Sequence, residues 1–298
     1  MLAACGTGIE VTEHVTDKDV QRVMDQIGTR QPAVTLEAYI DSLPAWKIGK
    51  RFWVADDRVT QMLADTYDYD KDTLHLAGHV LSYRGYSNSG PSLYGDNRRL
   101  SIDFDDEETD LLLHYRVNSP VVNNAIFSLQ MLIDMDMVDH VARQLVGKEF
   151  YVRTPIWYDS QTEQMMDGRH FIKVHIDSVL PGNAVLPLRV LFTTADTSEQ
   201  AMVWMNNNVS TMHGRDFDAM FSAVDPRLSY PTITDANWER ITRGQVVEGM
   251  TKEECRLAMG NPRQINERPD QAGMREYWYY DSGAYLFFVD GLLSQFRK

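Results

Sequence analysis

Cysteine is nearly missing from this sequence: two in 298 residues, Cys5 and Cys255, in regions that read as different structural units. A disulfide framework is therefore not indicated. Long apolar runs are missing too. No window approaches the roughly 18 consecutive apolar residues of a spanning helix, so none of these residues forms a membrane span. Basic charge is scarce, with 29 Lys and Arg against 43 Asp and Glu and a net charge of -14. A chain so acidic is a poor partner for a phosphate backbone, which binds through displacement of counterions by Lys and Arg, and no nucleic-acid role is expected. No GxSxG, HExxH, Walker loop or GxGxxG occurs, so no enzymatic activity, cofactor or metal is expected.

What is present begins with "MLAAC". These residues match the end of a bacterial lipobox, whose cysteine is lipidated and becomes the first residue; the charged start and apolar run such a signal needs do not lie within this sequence. We expect Cys5 to be a lipid attachment point, the alternative being an exposed cysteine on a terminal tail.

The middle of the chain repeats itself. "GKRFWV" (Gly49 to Val54) returns as "GKEFYV" (Gly147 to Val152), "RLSIDFD" parallels "PLRVLFT", and "LLLHY" parallels "AMVWM". A helical pattern precedes each copy: Thr35 to Leu43, stopped by Pro44, and Leu129 to Leu145. The expectation is two duplicated small antiparallel β-barrel or SH3-like units, each led by a helix, at 31–118 and 119–225 after a tether at 1–30. A final unit spans 226–298; its stretch 231–298 carries nine basic against ten acidic residues, leaving 20 against 33 in front of it.

Several clusters hold residue types that can carry chemistry. His75 and His79 are four apart, but on an expected strand they lie about 13 Å from each other, too far for one ion. Asp68 to Thr73 imitates a calcium loop without its glycine and its closing glutamate, and reads as a solvated acidic turn. Asp103 to Asp110 holds six acids in eight residues, which an exposed strand end explains. An enzyme would need His114, His170 or His175 in a deep polar pocket.

The last unit is the most sharply punctuated. In "GMTKEECRLAMGNP", Thr251 and Glu254 form a capping box, Gly260 permits a left-handed cap and Pro262 stops the helix. A shorter helix begins at Asp235. Two hairpin strands, "REYWYY" and "AYLFFV", lead through Asp290-Gly291 into a third. Two helices on a three-stranded meander form a complete α+β unit. On these strands Tyr277 and Tyr279 share one face and Trp278 and Tyr280 the other, while Phe287 and Phe288 alternate. Both faces are apolar and two short helices cover one. The second either packs on the neighbouring unit or meets a partner, and Tyr277, Trp278, Tyr279, Tyr280, Phe287 and Phe288 are the partner-binding candidates.

The order of "GMTKEECRLAMGNP" and "REYWYYDSGAYLFFVDGLLSQF" resembles the SmpA/OmlA (BamE) family, whose helix opens G-M-T-x-x-E, closes at G-x-P, and is followed by a W-x-Y strand and a Y-L-x-F-x-x-G-x-L hairpin. The resemblance covers residues 233–298. It implies a lipoprotein on the periplasmic face of the outer membrane that supports assembly of outer-membrane proteins, anchored through Cys5 and bound to envelope partners. The long duplicated region departs from the short members of that family. The alternative reading is a duplicated SH3-like module that binds peptide or cell-wall glycan.

Overall fold

The computed structural model describes residues 36–91, 98–119, 128–207, 215–270 and 273–297. Cys5 and the tether lie outside the described residues. The described part belongs to one compact unit built mainly of strand.

The first sheet contains β1 (Arg51–Val54), β2 (Val80–Pro91), β3 (Arg98–Asp106), β4 (Leu112–Ser119) and β5 (Leu132–Asp134), in the order β4-β3-β2-β1-β5, all antiparallel. Its alternating apolar positions meet in one core where Phe52, Tyr83, Phe104, Leu113 and Tyr115 are almost fully buried. The Phe52 and Phe104 rings meet edge to face, 5.4 Å apart.

β5 runs directly into helix α1 (Met135–Leu145). Asp134 caps it by accepting from the Asp136 N–H, and Met137, Val138, Val141 and Leu145 form its buried stripe. Strands β6 (Glu149–Val152), β7 (Ile156–Tyr158), β8 (Met165–Asp167), β9 (Ile172–Pro181), β10 (Leu188–Thr194), β11 (Gln200–Met205) and β12 (Phe221–Ser222) make the second sheet, ordered β12-β6-β9-β10-β11-β7-β8. The four-residue helix α2 (Phe217–Met220) leads into β12.

The last part holds α3 (Asp235–Thr242), α4 (Lys252–Met259) and an antiparallel sheet β13 (Gln264–Asp270), β14 (Gly273–Tyr279), β15 (Tyr285–Val289) and β16 (Leu292–Arg297), in chain order. Thr251 accepts from the Glu254 N–H and Glu254 accepts from the Thr251 N–H, which closes the capping box. Trp238, Ile241 and Cys255 from the helical side meet Trp278, Leu286 and Phe288 in one core. Burial pushes the Cys255 thiol up to about 12, and the nearby Glu254 carboxylate adds to the shift.

These observations correct the expected α+β fold of two small barrels and a two-helix, three-stranded end unit. The described residues are mostly β, in three open antiparallel sheets of five, seven and four strands. The front sheets share one meander, β1-β2-β3-β4 and β6-β9-β10-β11, but the first adds β5 and the second adds β7, β8 and β12. No helix precedes β1 among the described residues. Residues 36–40 are irregular and only Leu43–Ala45 turns, as a 3-10 segment with Pro44 in its first turn. Side-chain bonds explain this override of a helical pattern: Asp41 accepts from the Ser42 N–H, and Tyr39 and Asp41 are drawn to Lys50. The fourth strand of the last sheet, β13, reads "QINERPD". Its polar residues and Pro269 hide it from hydrophobic periodicity and suit its place at a sheet edge.

Candidate functional site

The two faces of the last sheet differ in chemistry. Residues paired across neighbouring antiparallel strands lie on the same face, so the register assigns the faces. One row runs Ile265, Trp278, Leu286, Phe296, and the next runs Glu267, Glu276, Phe288, Leu293. Both face the helices. Trp278 and Phe288 are fully buried, so two of the six candidate residues belong to the core. The buried Glu276 carboxylate accepts from the Trp278 indole N–H at 3.2 Å and pairs with Lys252, while the Arg256 guanidinium lies 4.7 Å from the Trp278 ring centroid. Tyr280 stands at the strand end, where its hydroxyl donates to the Gly260 carbonyl; burial pushes its pKa up to about 12.

The opposite face carries Tyr277, Tyr279 and Phe287. Tyr277 and Phe287 are register partners, and their rings stack at 4.6 Å with an interplanar angle of 26°. Both are half-buried, and Tyr279 is 40% exposed. Tyr285, opposite Tyr279, extends the aromatic strip. Arg268 opposite Arg275, and Arg297 opposite Tyr285, lie on this face and are exposed. Placing Arg268 and Arg297 on a face requires β13 and the register of β16, which the sequence pattern does not reveal. The period-two alternation that separates Tyr277 from Trp278 extends to Arg275 and was enough to place that residue.

A second feature lies far along the chain. Lys50, whose side chain is 3% exposed, is held by Asp136 at 2.7 Å, Asp134 at 2.9 Å and Asp41 at 3.1 Å, and donates to the Tyr39 hydroxyl at 3.0 Å. Burial opposes its charge, but the hydrogen bonds to Asp136, Asp134 and Tyr39 outweigh that and raise its pKa. Burial raises Asp134 and pushes Tyr39 up to about 12. Beside this knot a cavity of about 310 Å³ is lined by Asp41, Asp134, Phe52, Met137 and Val185 among others. Each carboxylate already serves Lys50, so the knot reads as a structural fastening of residues 39–41, β1 and the start of α1.

The histidines are dispersed. His75 and His79 lie in the turn-rich approach to β2, not on a strand, and bond Asp57 and Asp106 separately. His114 pairs with Asp103 at 2.7 Å across β3 and β4, and His175 is exposed on β9. His170 is 4% exposed: Nε2 lies 3.0 Å from the Leu257 carbonyl, Nδ1 has no partner, and burial lowers its pKa. In the acidic turn at 68–73, Asp70 accepts from the Asp72 N–H. Among the described residues no group of three or more His, Cys, Asp or Glu is arranged to hold a metal.

Neither a family model, nor a curated protein, nor a solved structure matches this chain.

Proposed function

We propose that this is a non-enzymatic accessory protein of the cell envelope that docks a protein partner on the outer face of its last sheet. The observation that carries this reading is the aromatic strip of Tyr277, Phe287 and Tyr279, left open to solvent on the side away from the helices. Large rigid aromatics with polar tips gain most when a partner removes them from water, and they dominate protein interfaces. The lipobox-like "LAAC" and the resemblance of residues 233–298 to SmpA/OmlA proteins support the envelope part: attachment through Cys5 to the outer membrane, facing the periplasm, among assembly components.

A photo-crosslinking residue placed at Tyr279 tests it, with the fully exposed Tyr67 as control. Cells are irradiated and extracted in mild detergent. An envelope protein joined to position 279 and not to 67 is expected. Identical adducts at both positions, or none, would remove the docking role, and absence of any barrel-assembly component would remove that assignment. The mass of the peptide containing Cys5 reports the anchor: a diacylglyceryl adduct is expected.

A further inference from the structure

The charge of the outer face points to what it binds. The register puts fourteen positions on the outward side, in rows headed by Gln264, Asn266, Arg268 and Asp270. Three of the fourteen are arginines, Arg268, Arg275 and Arg297, and one, Asp270 at the end of β13, is acidic. The other two acids of these strands, Glu267 and Glu276, belong to the helix-facing rows, so arginines outnumber acids three to one on the outward side. Of the nearby turn acids, Asp281 already pairs with Arg263. This basic face belongs to a chain of net charge -14, so its sign is the reverse of the molecule's. Arg268 lies on the edge strand β13 and Arg297 on the opposite edge strand β16, three strand spacings across the sheet and four residues along it, roughly 20 Å apart on the diagonal, with the stacked Tyr277 and Phe287 between them.

We infer that the partner is an acidic protein segment which lays an apolar or aromatic side chain on Tyr277 and Phe287 and carboxylates on the flanking arginines; this rests on the docking role proposed above. Guanidinium groups form fork-like bonds to carboxylates, and an apolar centre within a charged rim is the usual anatomy of a specific interface. An anionic bilayer shares the negative charge but fits less well. Lipid recognition uses clusters of about four to eight basic residues, and the acidic remainder of the chain repels such a surface. An acidic segment of modest size meets only the face.

Three labelled synthetic peptides test this on the full chain: glutamates flanking a central Trp, the same peptide with lysines, and the glutamate peptide with Ala for Trp. Binding is read by fluorescence anisotropy. The first peptide is expected to bind about tenfold or more tighter than either of the others, the scale on which charge complementarity discriminates. The double variant Arg268→Glu/Arg297→Glu is expected to lose that preference with its melting temperature unchanged, because both side chains are exposed. Raising salt from about 50 to 300 mM should weaken the native chain and not the variant. Equal binding of the lysine peptide, or an unchanged affinity in the charge-reversed variant, overturns the acidic-partner inference and leaves the docking face standing. Binding of phosphatidylglycerol vesicles that depends on the same two arginines overturns it in favour of a membrane. If Tyr277→Ser/Phe287→Ser leaves peptide binding unchanged and position 279 crosslinks nothing, the docking role falls as well.

Discussion

At the scale of single residues, Lys50 and Lys148 give the cleanest contrast. Both follow a glycine of positive φ and precede a short strand, yet Lys50 is buried among three carboxylates while Lys148 is exposed. Removing one partner of a buried ionic cluster leaves the others uncompensated, so Lys50→Ala is expected to cost about 3–5 kcal/mol. Lys148→Ala should stay within about 0.5 kcal/mol. Urea denaturation of the two variants measures the difference, and similar midpoints would refute the fastening role of the knot. His170 supplies a pH test. Its folded pKa lies below the ordinary value of 6.5 because burial disfavours the cation, so the unfolded chain binds the proton more readily. The stability it contributes is complete above the unfolded value and declines as pH falls from there towards the folded value. Urea midpoints between about pH 5 and 8 should show that decline in the native chain and a smaller one in His170→Gln, whose amide can still donate to the Leu257 carbonyl.

At the scale of elements, the segment between β8 and β9 joins the second sheet to the helices of the last part. Gly168 lies against the buried Trp157: a Cβ there would be 2.4 Å from the indole, closer than real contacts come. Two residues on, the His170 N–H donates to the Thr242 carbonyl, and the Phe171 ring stacks on Trp238 of α3 at 5.9 Å. Gly168→Ala must push the indole or the backbone aside and is expected to destabilise by about 1–3 kcal/mol, with altered Trp fluorescence and a lower melting temperature. Thr251→Ala, which deletes a cap without disturbing packing, should cost about 1 kcal/mol. This scale also separates what could be read from the chain from what could not. The capping box of α4 and the β14–β15 hairpin rest on contacts between neighbours in sequence, and their signals stood in "TKEE" and in the alternating aromatics. The helix expected over 35–43 failed because Tyr39 and Asp41 find better partners in Lys50 and α1, residues 9 to about 100 positions away. β13 escaped notice because an edge strand needs no apolar alternation. The candidate site was half legible for the same reason: alternation separates Tyr277, Tyr279 and Phe287 from Trp278 and Phe288 once one knows which face the helices cover, whereas the arginine rim depends on pairings between strands.

At the scale of the whole molecule, a net charge of -14 and a face of opposite sign give the protein a strong charge asymmetry. Such a field orients an acidic partner before contact, so association with the glutamate-Trp peptide should slow as salt rises while dissociation changes much less. Stopped-flow mixing at several ionic strengths separates the two rates; a salt effect confined to dissociation would argue against this long-range steering. Cys255 carries a consequence of a different kind. Its sulfur sits at 0% exposure in the core between α4 and the last sheet, with a thiol that resists ionisation. In the folded protein it is chemically silent, since the thiolate is the reactive form and solvent does not reach it. It becomes modifiable only when the sheet and its helices part, which makes the rate of thiol capture a stopwatch, already built into the sequence, for how often that core opens.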